Sequence, residues 1–185
     1  DMNHASEEDY FAFPYNLNLD DQLFKYGVRI NPDLIQDAVS GKYPIVVGGD
    51  RNRPQIMQLD WPFFPLVNQY ANHPITRNLD ASLLKFVSSI DTVKAVGVTK
   101  TPLLFSSQYS RKVTAPVKVG VNDLRKQMQD GNFNGGPISL AYLLEGEFTS
   151  LFKNRFAPQG ADTVAAKESS TPTKIIVVAD GDLAR

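Results

Sequence analysis

YPIVVGGDRNRPQIMQL, residues 43–59, reads as two strands and the turn that joins them. Tyr43 to Val47 is an apolar run rich in β-branched residues, Gln55 to Leu59 alternates, and GGDRNRP between them is turn chemistry, which makes this the clearest hairpin in the chain. Gly48-Gly49-Asp50 also resembles a phosphate-binding turn. No Lys-Ser/Thr follows and no helix opens there, so the hairpin reading stands.

Directly after the hairpin comes WPFFPLVNQYANHPITRNLD, Trp61 to Asp80, which holds the single tryptophan and prolines at 62, 65 and 74. It matches neither helical nor strand periodicity, and its prolines fix φ and remove backbone donors, so it is expected to be ordered, irregular, aromatic chain. Two roles suit such a block. It can wrap a sheet edge as satellite core, since Trp, Phe and Tyr bury large areas, or it can present apolar anchors to a partner.

Further out, Asp20 to Tyr26 reads as a short helix with Leu23 and Phe24 facing inward, ended by Gly27. Val28 to Ile30 is strand-like, and Asp33 to Val39 reads as another short helix stopped by Ser40-Gly41. Asp80 to Ile90 suits helix or strand, and strand is favoured because Val93 to Val98 follows with β-branched alternation. Pro102 to Ser106, Val117 to Val121 and Ile138 to Leu144 are further strands, and Asn122 caps an expected helix closed by Gly131. Ala157 to Pro172 is small and polar and reads as a mobile loop. Lys174 to Ala179 (KIIVVA) is a continuous apolar run, the pattern of a strand buried on both faces.

About eight strands and only short helices leave no regular βαβ alternation. The expected fold is α+β: a β-rich mixed sheet with short flanking helices, in one domain over 23–185 preceded by a polar and aromatic leader over 1–22. At 185 residues and 42% hydrophobic content, such a chain buries roughly 70% of its unfolded surface. Its ends read as cut from a longer protein.

Composition narrows the chemistry. Nineteen basic residues against twenty acidic ones give a net charge of −1, and the basic residues are scattered in pairs, which argues against a nucleic-acid surface. No cysteine is present, which removes disulfides, thiolate catalysis and cysteine-containing zinc sites. No apolar stretch of membrane-spanning length and no signal-peptide pattern occurs in the chain. Ser106-Ser107 ends a strand without a G-x-S-x-G elbow, and His4 and His73 are the only histidines for a triad. Asp180-Gly181-Asp182 offers two carboxylates beyond the last strand, where a cation could sit, but too few oxygen donors surround them and a helix-capping turn is the reading preferred. No catalytic residue, metal site or cofactor is therefore assigned.

Four segments carry a family resemblance: LFKYGVRINPDLIQD (Leu23 to Asp37), the Trp61 to Asp80 block, GPISLAYLLEGEFTSLFKNR (Gly136 to Arg155) and KIIVVADGDLAR (Lys174 to Arg185). In order and spacing they resemble GldG, the gliding-motility-associated ABC-transporter auxiliary or substrate-binding-like family. The resemblance implies membrane helices outside this region, an extracytoplasmic or periplasmic location, and work alongside an ABC permease subunit and its ATPase system. It also implies kinship with the glutamine-amidotransferase-like α/β three-layer fold, which is the alternative fold class. An amidotransferase site needs a nucleophilic cysteine, so such ancestry is non-catalytic here.

The combined expectation is a non-enzymatic accessory module that contacts the permease or an envelope protein. Trp61, Phe63 and Phe64 are its expected anchors, with Arg51 and Arg53 at the hairpin tip as a second contact. On this expectation, serine at 63 and 64 leaves the fold nearly as stable and weakens partner binding. The alternative is a sugar- or peptide-binding domain that uses Trp61 as a stacking platform beside Asp180 or Asp182.

Overall fold

The computed structural model describes residues 10–50, 52–121, 132–153 and 167–183. The hairpin forms as read and runs further than expected: β4 (Ser40–Asp50) pairs antiparallel with β5 (Arg53–Val67), from Lys42 opposite Asp60 to Asp50 opposite Arg53. Around it lie β1 (Tyr10–Ala12), β2 (Val28–Ile30), β3 (Asp33–Asp37), β6 (Gln69–Tyr70), β7 (Ser82–Leu83), β8 (Ile90–Thr92), β9 (Val98–Phe105), β10 (Ser110–Thr114), β11 (Val117–Val119), β12 (Ser139–Gly146) and β13 (Thr173–Val178). One short helix, α1 (Asp20–Tyr26), is present among the described residues. The protein is thus mostly β. The α+β label and the three-layer alternative gain no support from these residues.

The strands assemble into small antiparallel sheets: β13-β12-β9-β6, β4-β5-β7, and the pairs β1-β11, β10-β3 and β2-β8. Pairing β1 with β11 brings residues 10–12 of the expected leader against the body. β12 is the strand buried on both faces. Leu140, Ala141, Leu143 and Leu144 are all inside because β13 and β9 flank it. β13, expected in that role, lies at the sheet edge with Ile176 50% exposed. Its Lys174 instead reaches across to Glu145 at 2.7 Å.

α1 ends as read: Gly27 adopts φ 103° and its N–H donates to the carbonyls of Leu23 and Phe24. Only Leu23 packs inward, while Phe24 is 55% exposed. The helix expected at 33–39 is strand β3. Its Asp33, Ile35 and Asp37 all point inward, and its partner is β10, a strand the sequence reading passed over. Most of 80–98 is irregular, since β7 and β8 cover only 82–83 and 90–92 of it. The helix expected after Asn122 lies outside the described residues, as do 157–166 of the expected loop. Within the described end of that loop, Ser169 bridges to Thr149 and the Ser170 N–H donates to the Phe148 carbonyl at 2.9 Å.

The Trp61 segment differs most from its reading. Pairing jumps from Lys42 opposite Asp60 to Ser40 opposite Pro65. Trp61 to Phe64 therefore form a wide bulge within β5, a position where Pro62 breaks no ladder bond. The bulge turns the aromatic side chains inward. Trp61, Phe63 and Phe64 form a cluster with Val117 and Val119, closed by Tyr43, Leu59 and Phe86.

Candidate functional site

Trp61 and Phe63 are 0% exposed and Phe64 is 6% exposed, so the three anchors expected at a contact surface are core. Tyr43 packs against Trp61 with tilted rings whose centroids are 4.9 Å apart, and Phe86 stacks on Phe63 at 5.9 Å. Arg51 lies outside the described residues. Arg53 is exposed at the end of the hairpin, opposite Asp50.

What the hairpin does expose is apolar. The Lys42 ammonium meets the Asp60 carboxylate at 3.0 Å near the body. Beyond that pair the arm carries Val46 at 67%, Ile56 at 59%, Val47 at 53% and Met57 at 38% exposure. Val46 faces Ile56 across the ladder and Ile45 faces Met57, so strand alternation places these pairs on opposite faces. A two-stranded ribbon is marginally stable in water, and side chains this exposed gain little from their cross-strand pairs alone. The sequence reading found the hairpin and missed its exposure. Alternation between Gln55 and Leu59 was the available signal.

Asp180 and Asp182 lie at a turn whose geometry is satisfied internally. Asp180 accepts from the Lys85 N–H at 2.7 Å and from the Asp182 N–H at 2.7 Å. Asp182 also lines a groove of about 430 Å³ with Tyr43, Phe64, Leu83, Phe86 and the two lysines Lys42 and Lys85. Trp61 sits beneath this groove through its contacts with Tyr43 and Phe64.

The serines are structural. Ser107 donates its hydroxyl to Asp37 Oδ1 at 2.6 Å and its N–H to Asp37 Oδ2 at 2.7 Å. Ser106 pairs with Ser110 at 2.8 Å and accepts from the Ile138 N–H. His73 Nδ1 accepts from the Ile75 N–H at 3.2 Å, inside its own turn. Among the described residues no three His, Asp or Glu side chains gather as a metal site, and no helix is long and apolar enough to cross a membrane.

A polar cluster that the sequence did not reveal joins β2, β8 and β10. Arg29 Nη2 donates to Asp91 Oδ2 at 3.3 Å, Asn31 Nδ2 donates to the same oxygen at 2.8 Å, and Lys112 Nζ lies 3.8 Å from Asp91 Oδ1. The partners are some twenty to sixty positions apart, so no local pattern could have shown them. The Asn31 hydrogen bond is the main reason the Asp91 carboxyl sits below its ordinary range; Lys112 and Arg29 add to the shift, and burial opposes it. A lowered carboxyl favours the folded state fully above the unfolded value of 3.8, and this stabilisation disappears as pH falls through the lower folded value. The effect is small because the group is about half exposed and screened. The stability difference between wild type and Asp91→Asn is expected to be constant at neutral pH and to shrink once pH drops below about 4. Denaturant titrations from pH 7 to 2.5 check this, and a difference that grows on acidification contradicts it.

A family model described as ABC-type uncharacterized transport system matches residues 1–185. No curated protein and no solved structure matches the chain.

Proposed function

The chain belongs to the ABC-type uncharacterized transport system family, and from that membership we propose that it is a non-enzymatic accessory module that docks on another protein of an ABC transport system through the β4-β5 arm. The observation that carries this reading is the apolar dressing of the arm's tip, Val46, Val47, Ile56 and Met57. Apolar side chains on both faces of an unsupported ribbon gain free energy when a partner covers them. The buried aromatic cluster then anchors the arm from below, and Arg53 adds a charge at the docking end.

The four-segment likeness to the gliding-motility family supports an extracytoplasmic placement, with the permease subunit or an envelope protein as the partner and any membrane anchor outside this chain. Binding of the purified chain to the cognate permease in detergent, followed by calorimetry, tests the proposal. Serine at both 46 and 56 is expected to weaken binding at least about ten-fold, since each side chain loses roughly 1–2 kcal/mol of burial. Because both residues are exposed, the melting temperature is expected to move little. Undiminished permease binding by this variant contradicts the docking role.

One observation favours a second reading, a small-ligand domain: the aromatic groove of Tyr43, Phe64 and Phe86 has Asp182 at its rim. A sugar or peptide seated there perturbs Trp61 through Tyr43. Saturable shifts of Trp61 fluorescence with such ligands, without permease binding, favour this reading over docking.

A further inference from the structure

A second groove, of about 630 Å³, opens where β2, β8, β10, β12 and the Gly135 to Ile138 segment meet. This volume suits a small molecule. Its charged lining residues are Arg29, Lys112 and Asp91, two cations against one carboxylate, so the groove carries one net positive charge. The guanidinium is already oriented. Its Nε donates to Asn31 Oδ1 at 3.1 Å and its Nη2 to Asp91, while Asn31 is itself fixed by donation to Ser89 Oγ at 2.9 Å. The remaining guanidinium donors form a planar fork suited to an oxyanion. Lys112, at 3.8 Å from Asp91, is too distant for a direct hydrogen bond to that carboxylate. It ion-pairs with that carboxylate without a direct hydrogen bond and adds a second positive charge to the groove. Buried Ile90 and Ile138 and half-buried Tyr142 supply an apolar wall beside the cations.

We propose that this groove binds a small molecule carrying one oxyanion, carboxylate or phosphate, next to an apolar group, with Arg29 and Lys112 holding the anion and Tyr142, Ile90 and Ile138 facing the apolar part. The site is separate from the arm and from the aromatic groove, so it stands or falls independently of the docking reading. A single pair of cations suits one anionic group and not a polyanion, whose binding requires a longer basic stripe.

The test is a titration of the 185-residue chain with N-acetylphenylalanine, its amide and phenyl phosphate, followed by amide chemical shifts at Gly135, Ser139 and Tyr142 and by calorimetry. The expected result is saturable binding of at least one of the two anions, with the amide bound at least about ten-fold more weakly, as loss of charge-assisted hydrogen bonds requires. Arg29→Gln and Lys112→Gln each weaken that binding about ten-fold while leaving the melting temperature close to wild type. Binding of the acid alone identifies a carboxylate ligand, and binding of phenyl phosphate alone a phosphate ligand. The proposal is overturned if neither anion saturates below about 10 mM, if the amide binds as tightly as the anions, or if the Arg29 and Lys112 variants bind unchanged.

Discussion

Trp61→Ala is expected to destabilise the protein by about 3–5 kcal/mol, the cost of emptying a fully buried aromatic site. In a chain of this length that lowers the melting temperature by roughly ten degrees or more. The size follows from the packing: Trp61 touches Tyr43, Phe63 and Phe64 in one cluster, so its loss leaves a cavity that the wide bulge of β5 cannot close without breaking register. Trp61→Phe is expected to cost less than alanine. It keeps a ring in place and removes an indole N–H that has no hydrogen-bond partner among the described residues. The paired Phe63→Ser, Phe64→Ser variant goes further, because two hydroxyls enter the same cluster and the losses couple. Their combined cost reaches the typical total stability of a domain, about 5–15 kcal/mol, so no cooperative melt is expected. Chemical denaturation of the three variants decides between core and contact surface. A Phe63→Ser, Phe64→Ser protein that melts like wild type returns these residues to a surface role.

How far the fold could be read depended on whether local pattern or distant pairing fixed each element. The hairpin, α1 with its Gly27 cap, and the strand at 139–146 carry their signals within a few residues and stand close to where the sequence puts them, whereas β9 starts at Val98, four residues before the strand expected at 102–106. β3 is not the helix expected there. Leu34, Ile35, Ala38 and Val39 suit a helix face, and only pairing with β10 and the capture of three backbone amides by Asp33 and Asp37 make the segment extended. The same holds for Trp61 to Val67, where prolines argue against a strand until the bulge that accommodates them is known. KIIVVA looked doubly buried because an apolar run does not say which sheet position it takes, and β13 took the edge. Of the candidate site, Asp182 does border an aromatic groove above Trp61, whereas Trp61 itself is inside. The Arg29, Asp91 and Lys112 cluster was out of reach, since Arg29 and Asp91 are sixty-two positions apart.

Asp37→Ala is expected to cost about 3–5 kcal/mol, because Asp37 is only 1% exposed and its carboxylate accepts charge-assisted bonds that nothing else replaces. Oδ1 accepts from the Val39 N–H at 2.8 Å and from the Ser107 hydroxyl, and Oδ2 accepts from the Ser107 N–H. Alanine leaves the buried Ser107 amide without an acceptor. Asparagine does not repair this, since one of its two positions becomes a donor facing a donor. Ser107→Ala removes the hydroxyl bond to Asp37 and the acceptor of the Tyr109 N–H but keeps the Ser107 amide bond to Asp37, and is expected to cost about 1–3 kcal/mol, so the ranking Ala and Asn at 37 above Ala at 107 separates a two-oxygen clamp from simple burial. Amide exchange gives a local readout. In Asp37→Asn the Ser107 and Val39 amides lose protection together, and the loosening spreads along β3 to β10, where Lys112 pairs with Ile35. Weaker anion binding at the Arg29 and Lys112 groove then accompanies the stability loss. Equal stability of Asp37→Asn and wild type, with Ser107 still protected, contradicts the clamp.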